Sequence, residues 1–210
     1  MAQRTPLPSS PTRIYLVRHG TTMLNRSSRY RGRRDVPLDR GGWDDAWSAA
    51  AQLADAGLDA VYSSPLRRAR DTARIVADAA GLPDVVDLPG LVNLDYGEWE
   101  GLTAEESAAL DPAAFSAYQC FAPGAACPGG ESLDLAAART ELSLRAVAAL
   151  HPGGTVAAVT HAAVVRLALV VAGAADRSTW RLALPNGSVT PLDATPSLLD
   201  ASAGRVGAVA

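Results

Sequence analysis

The chain has 210 residues, 48% of them apolar and 20% charged, with a formal net charge of −3. That length suits one compact domain with a sizeable core, and the small net charge gives no electrostatic reason to expect nucleic acid or an anionic membrane as a partner. No apolar run approaches a membrane span, no apolar h-region follows the start, and Cys120 and Cys127 read as free thiols of a reducing cytoplasm.

In chain order, residues 1–12 are polar and proline-bearing and read as a loose tail, and residues 14–17 as a first strand followed by an arginine-rich stretch to Arg40. Trp43, Trp47, Ala50 and Ala54 fall on one face of a helix predicted over 42–56 and ended by Gly57. Residues 60–63 read as a second strand, with Ser64 and Pro65 as N-cap and first turn of a helix to about Ala80, stopped by Gly81. A third strand is expected at 85–88, then a loop holding Tyr96, Gly97, Trp99 and Gly101, then a helix opened by a Thr103–Glu106 capping box. Residues 111–130, rich in proline and glycine, read as part of a flap over about 103–131 with some helix in it. Ser132 caps a long helix in which Leu133, Ala137, Thr140, Leu144 and Val147 share a face. Residues 155–160 form a strand, 162–172 a helix, and 182–184 and 188–191 late strands, while 201–210 is a small-residue tail expected to fray.

Alternating strands and helices imply an α/β fold: a three-layer α/β/α sandwich over 13–200 with a mostly parallel central sheet. In such sheets ligands sit beyond the carboxyl ends of the strands. Three loaded segments fall there: Arg18-His19-Gly20 after the first strand, residues 63–68 after the second, and His161 after the strand at 155–160. Arginine donates in a planar fork that matches phosphoryl oxygens, and a neutral histidine can attack phosphorus. Gly20 would let the backbone approach a phosphate closely, and a helix starting near His161 would turn N–H groups toward an anion. Arg18, His19, Arg68 and His161 thus make a phosphate cradle with its own nucleophile, although each alone has an ordinary structural reading.

The string Leu16-Val17-Arg18-His19-Gly20-Thr21-Thr22-Met23-Leu24-Asn25 resembles the signature of the histidine phosphatase superfamily, which includes the cofactor-dependent phosphoglycerate mutases. Ser63-Ser64-Pro65-Leu66-Arg67-Arg68-Ala69, Tyr96-Gly97-Glu98-Trp99-Glu100-Gly101, Gly129-Gly130-Glu131-Ser132 and Val159-Thr160-His161 resemble further family strings, in the same order. The resemblance implies that His19 is phosphorylated during turnover, that Arg18, Arg68 and His161 hold the phosphoryl oxygens, and that Asn25 lies near the phosphate. It implies no metal and no organic cofactor. Glu131 lines the pocket from the flap or supports the start of the long helix. The expected partners are a phosphorylated small molecule and, beyond it, at most a second copy of the chain.

Two positions depart from the family pattern. Ala162 follows His161 where glycine is frequent, a small change. Asn93 stands where the family's acid glutamate is usual, and an amide cannot act as a general acid near neutral pH. Asp95, two residues on and on the same face of an extended segment, is the candidate replacement. The arginines at 26, 29, 31, 33 and 34 hold a second anionic group or form a solvated loop of scattered ion pairs. The expected activity is hydrolysis of a small phosphomonoester through a phosphohistidine at His19; a mutase-like phosphotransferase or a turnover-impaired phospho-ligand binder are the alternatives.

Overall fold

A computed structural model of the chain describes residues 10–174 and 177–195. The tail expected at 201–210 lies outside the described residues, as do residues 1–9 of the tail expected at 1–12. The first strand starts at Thr12, inside that expected tail.

Five strands form one sheet: β1 (Thr12–Arg18), β2 (Ala60–Ser63), β3 (Val85–Asp87), β4 (Thr155–Thr160) and β5 (Val189–Ala194), in the order β3-β2-β4-β1-β5. All neighbours are parallel except β1 with β5. The seven α-helices among the described residues are α1 (Met23–Arg26), α2 (Arg40–Leu53), α3 (Arg67–Ala79), α4 (Ala104–Leu110), α5 (Pro112–Gln119), α6 (Leu133–Leu150) and α7 (Ala162–Val171).

Alternation along the strands feeds two cores, as expected of a sheet covered on both faces. Ile14, Leu16, Tyr62, Val156 and Ala158 point to the core under α6 and α7, while Val17, Val61, Ala157 and Val159 point to the core under α2 and α3. The expected face of α6 is buried at all five named positions, and Ser132 Oγ accepts from Leu135 N–H at 3.2 Å. The Thr103–Glu106 capping box opens α4 as expected.

Three expectations are corrected. Trp43 and Trp47 lie on the exposed side of α2, and the buried face carries Gly42, Ala46, Ala49, Ala50 and Leu53. The reason is close packing: α2 meets α3 in a core built of small side chains, Ala69, Ala73 and Ala77 among them, with no room for indole rings. Residues 182–184 form no strand. They follow a 3-10 helix at Arg177–Arg181, and the Leu182 and Leu184 carbonyls instead accept side-chain bonds from Arg166 and Arg18. Ser64 does not cap α3, whose N-cap is Leu66 without a side-chain bond. The late strand runs Val189–Ala194, slightly beyond its expected span.

Candidate active site

Strand register gathers the three loaded segments. β4 lies between β2 and β1, with Arg18 opposite Thr160 and Ser63 opposite Val159. One residue beyond each strand, His19 N–H donates to the Thr160 carbonyl at 2.9 Å and Ser64 N–H to the Val159 carbonyl at 2.9 Å. His19, Ser64 and His161 therefore meet at one sheet edge, with the His19 and His161 ring centroids 5.1 Å apart.

His19 is buried, and its Nδ1 lies 2.6 Å from the Gly20 carbonyl oxygen. A carbonyl only accepts, so the ring proton sits on Nδ1 and Nε2 keeps its lone pair. Burial holds the ring's pKa well below the usual histidine value, and the guanidiniums of Arg68 and Arg31 push it further down. The ring is neutral, with one nitrogen free to act as a nucleophile. Packing adds its own reason for Gly20 to be glycine. A Cβ there would stand 2.1 Å from the Gly42 carbonyl oxygen, where the chain passes against the start of α2.

Around His19 stand buried nitrogens without hydrogen-bond partners among the described residues: Arg18 Nε, Arg68 Nε and His161 Nδ1. Arg68 is fully buried at the start of α3. Its Nη1 and Nη2 donate to the Arg34 and Gly32 carbonyls at 2.7 and 3.0 Å, which fixes the fork. Burial, then the charge of Arg31, pulls both Arg18 and Arg68 down to about 10, so both stay charged at neutral pH. His161 Nε2 lies 2.8 Å from Ser64 Oγ. That oxygen also accepts from Leu66 N–H at 3.4 Å, and His161 Nδ1 is buried without a hydrogen-bond partner among the described residues. His161 is the N-cap of α7 and no side chain caps that helix, whose dipole favours an anion at this end. Burial is also the first cause of the depressed pKa of His161, followed by Arg68 and His19.

Two neutral buried histidines make stability depend on pH. In the unfolded chain each takes up a proton below pH ~6.5 that the folded state refuses, so stability is full above that pH and falls as pH drops. We expect a loss of about 1.4 kcal/mol per histidine at one pH unit below 6.5. Thermal melts between pH 7.5 and 5.5 check this, and a melting temperature that rises on acidification would contradict it.

Next to His161 and Arg18 opens a cavity of about 500 Å³ whose lining includes Arg18, Asn25, Asn93, His161 and Ala162, while His19, Gly20 and Arg68 lie behind that lining. Tyr118 and Gln119, from the segment expected to be a flap, line its far wall. Asn25 accepts from Thr22 N–H and Oγ at 2.9 and 2.8 Å, so what it has left for a ligand is its Nδ2 donor. Asn93 is buried and donates from Nδ2 to the Gly32 carbonyl at 3.1 Å. Asp95 and Glu131 do not line the cavity either, and both are engaged elsewhere. Asp95 accepts from Gly97 N–H at 3.0 Å and pairs with Arg33 at 3.6 Å. Glu131 pairs with Arg139 at 2.8 Å and with Arg33 at 3.3 Å. Arg139 also donates to the carbonyls of Gly90, Val92 and Asn93, clamping the segment that carries Asn93.

The arginine-rich loop divides. Arg26, Arg29, Arg33 and Arg34 pair with Asp39, Glu106, Asp95 with Glu131, and Glu100. Arg31 has no carboxylate partner among the described residues, its Nε is buried and unbonded, and it lines the cavity. Sequence reasoning named it only as one of five arginines in that loop, because its neighbours have the same side chain and only their distant partners tell them apart.

Residues 14–200 match the family model described as histidine phosphatase superfamily, branch 1. A bifunctional protein of Mycobacterium tuberculosis is 40% identical over 78% of this chain, and the chain spans only 44% of that protein's length. A metal-independent phosphoserine phosphatase of Arabidopsis thaliana is 38% identical over 75% of this chain and 67% of its own. Among solved structures, mycobacterial glucosyl-3-phosphoglycerate phosphatase complexed with VO3 superposes with a TM-score of 0.76 and 30% identity, covering 85% of this chain and 91% of that one. Among the described residues no helix is long and apolar enough to cross a membrane. The chain belongs to the histidine phosphatase superfamily, branch 1.

Proposed function

We propose that the chain hydrolyses a small phosphomonoester through a phosphohistidine at His19. The observation that carries the reading is a neutral histidine with a free Nε2, set among buried N–H groups of Arg18 and Arg68 and the buried Nδ1 of His161, none of which has a partner among the described residues. Orphaned buried donors are costly and rare, and a tetrahedral oxyanion satisfies several at once. His19 Nε2 attacks phosphorus, the bond to the leaving oxygen breaks with its electrons, and water then cleaves the phosphorus–nitrogen bond to release inorganic phosphate. Relatives named as phosphatases support the same reaction class.

The test is turnover on a panel of phosphomonoesters with orthovanadate as competitor. We expect hydrolysis inhibited competitively by vanadate and by inorganic phosphate at or below millimolar levels. Failure of both anions to bind would overturn the reading. Asn93 in the cavity favours one rival, a phospho-ligand binder with impaired turnover, which would bind both anions and hydrolyse none of the panel.

Arg68→Lys keeps a charge but gives up the fork that holds two loop carbonyls and still offers Nε. We expect kcat/KM to fall about 10²-fold, the scale of losing one preorganised donor. Steady-state kinetics check it, and near-normal values would place Arg68 outside the phosphoryl site.

A further inference from the structure

The cavity above the phosphoryl cradle is one-sided in charge. Among the described residues its charged lining is Arg18, Arg29, Arg31, Arg166 and Arg181, with no aspartate or glutamate. The carboxylates close by are committed: Glu106 to Arg29, Glu100 to Arg34, Asp95 to Arg33, and Glu131 to Arg139 and Arg33.

A phosphomonoester dianion is matched by two cations, and Arg18 and Arg68 supply them beside His19. Arg31 and Arg166 are then surplus. Arg31 is drawn far enough from water that burial depresses its pKa. Its one hydrogen bond among the described residues is long, 3.5 Å from Nη1 to the Arg29 carbonyl. Arg166 is held in place by Nε and Nη2 bonds to the Leu182 carbonyl at 3.0 and 2.7 Å, and its guanidinium carbon lies 6.0 Å from the centre of the Trp180 ring. These contacts orient it without neutralising it. A desolvated cation without a partner is destabilising, and an anion entering the cavity offsets that cost while an ammonium adds to it.

Resting on the phosphatase reading above, we infer that the organic half of the substrate carries a second acidic group and no amine. Arg31 is the residue that reads that second charge, with Arg166 beside it. The substrate class is a phosphorylated hydroxy acid or a comparably anionic ester. A phosphorylated amino acid is disfavoured, because its ammonium would meet arginines and no carboxylate.

Three nearly isosteric probes separate these classes: 3-phosphoglycerate carries a carboxylate, glycerol 3-phosphate carries none, and O-phosphoserine carries a carboxylate with an ammonium. Their dissociation constants are measured by calorimetry on the full chain with His19→Ala, where no turnover intervenes. We expect 3-phosphoglycerate to bind at least about 10-fold tighter than each of the other two, roughly the strength of one charge-assisted hydrogen bond. Adding Arg31→Gln should shrink its advantage over glycerol 3-phosphate to about 3-fold or less, and Arg166→Gln should reduce it in part. Since Arg31 holds no ion pair among the described residues and is desolvated, its replacement should leave the melting temperature at or above that of the parent, which separates lost recognition from lost folding. Equal affinity for 3-phosphoglycerate and glycerol 3-phosphate, tightest binding of phosphoserine, or an advantage unchanged by Arg31→Gln would each overturn the inference and leave the phosphatase reading standing. Binding of none of the three would overturn the phosphate site itself, and the inference with it.

Discussion

His19→Ala is expected to abolish turnover, with a loss on the order of 10⁶-fold, the scale seen when a covalent nucleophile is removed and water alone must act. The expectation follows from the ring's environment. Nδ1 is tied to the Gly20 carbonyl, burial and two guanidiniums keep the imidazole neutral, and Nε2 is left free beside the partnerless donors. No other described side chain at this sheet edge offers the same combination. His161 is also neutral, but its Nε2 is engaged with Ser64 Oγ at 2.8 Å, whereas His19 Nε2 has no such partner among the described residues. Rapid quenching of the wild-type chain with labelled substrate should trap an acid-labile, base-stable phosphoenzyme, and the variant should trap none. Equal labelling of the variant would remove His19 from the nucleophile's role.

The parts of this site that were legible in the sequence are those fixed by strand ends. The apolar runs at 14–17, 60–63 and 155–160 are short, bounded and strong in β-formers, so the residues just after them could be placed at one edge before their neighbours were known. Parallel pairing of β1 and β2 with β4 then brings Arg18, His19, Ser64 and His161 together. What stayed hidden depends on contacts made far along the chain. Arg31 is chemically identical to the arginines around it, and it becomes distinct only because carboxylates at 39, 95, 100, 106 and 131 reach the others. Ser64 reads as an N-cap by residue type, yet β4 offers its hydroxyl a buried histidine instead. The face of α2 was misread because two tryptophans outweigh alanines in any hydrophobic pattern, whereas close helix packing selects for small residues. Asp95 shares its strand-like parity with Asn93, but the turn at Gly97 and the guanidinium of Arg33 draw it away.

Asn93→Glu is expected to raise turnover of alkyl phosphates by ~10²–10⁴-fold while changing aryl phosphates little. A positioned acid matters most when the leaving oxygen is a poor leaving group, and an aryl oxide departs without one. Asn93 lines the cavity with Arg18 and His161 and donates to the Gly32 carbonyl, which also accepts from Arg68. A glutamic acid at this position meets that same carbonyl oxygen, which can accept a bond from the protonated carboxyl and repels the ionised one. Hydrogen bonding and burial therefore favour the acid form, against the pull of nearby arginines toward the carboxylate. Asp95→Asn should have only a small effect on kcat, because the Asp95 oxygens serve the Gly97 N–H and Arg33. The measurement is kcat/KM against leaving-group pKa for the wild type and both variants. A steep dependence in the wild type should flatten in Asn93→Glu and persist in Asp95→Asn. If Asp95→Asn instead cripples alkyl phosphate hydrolysis and spares aryl phosphates, the proton comes from Asp95, and the segment 93–97 must rearrange when substrate binds.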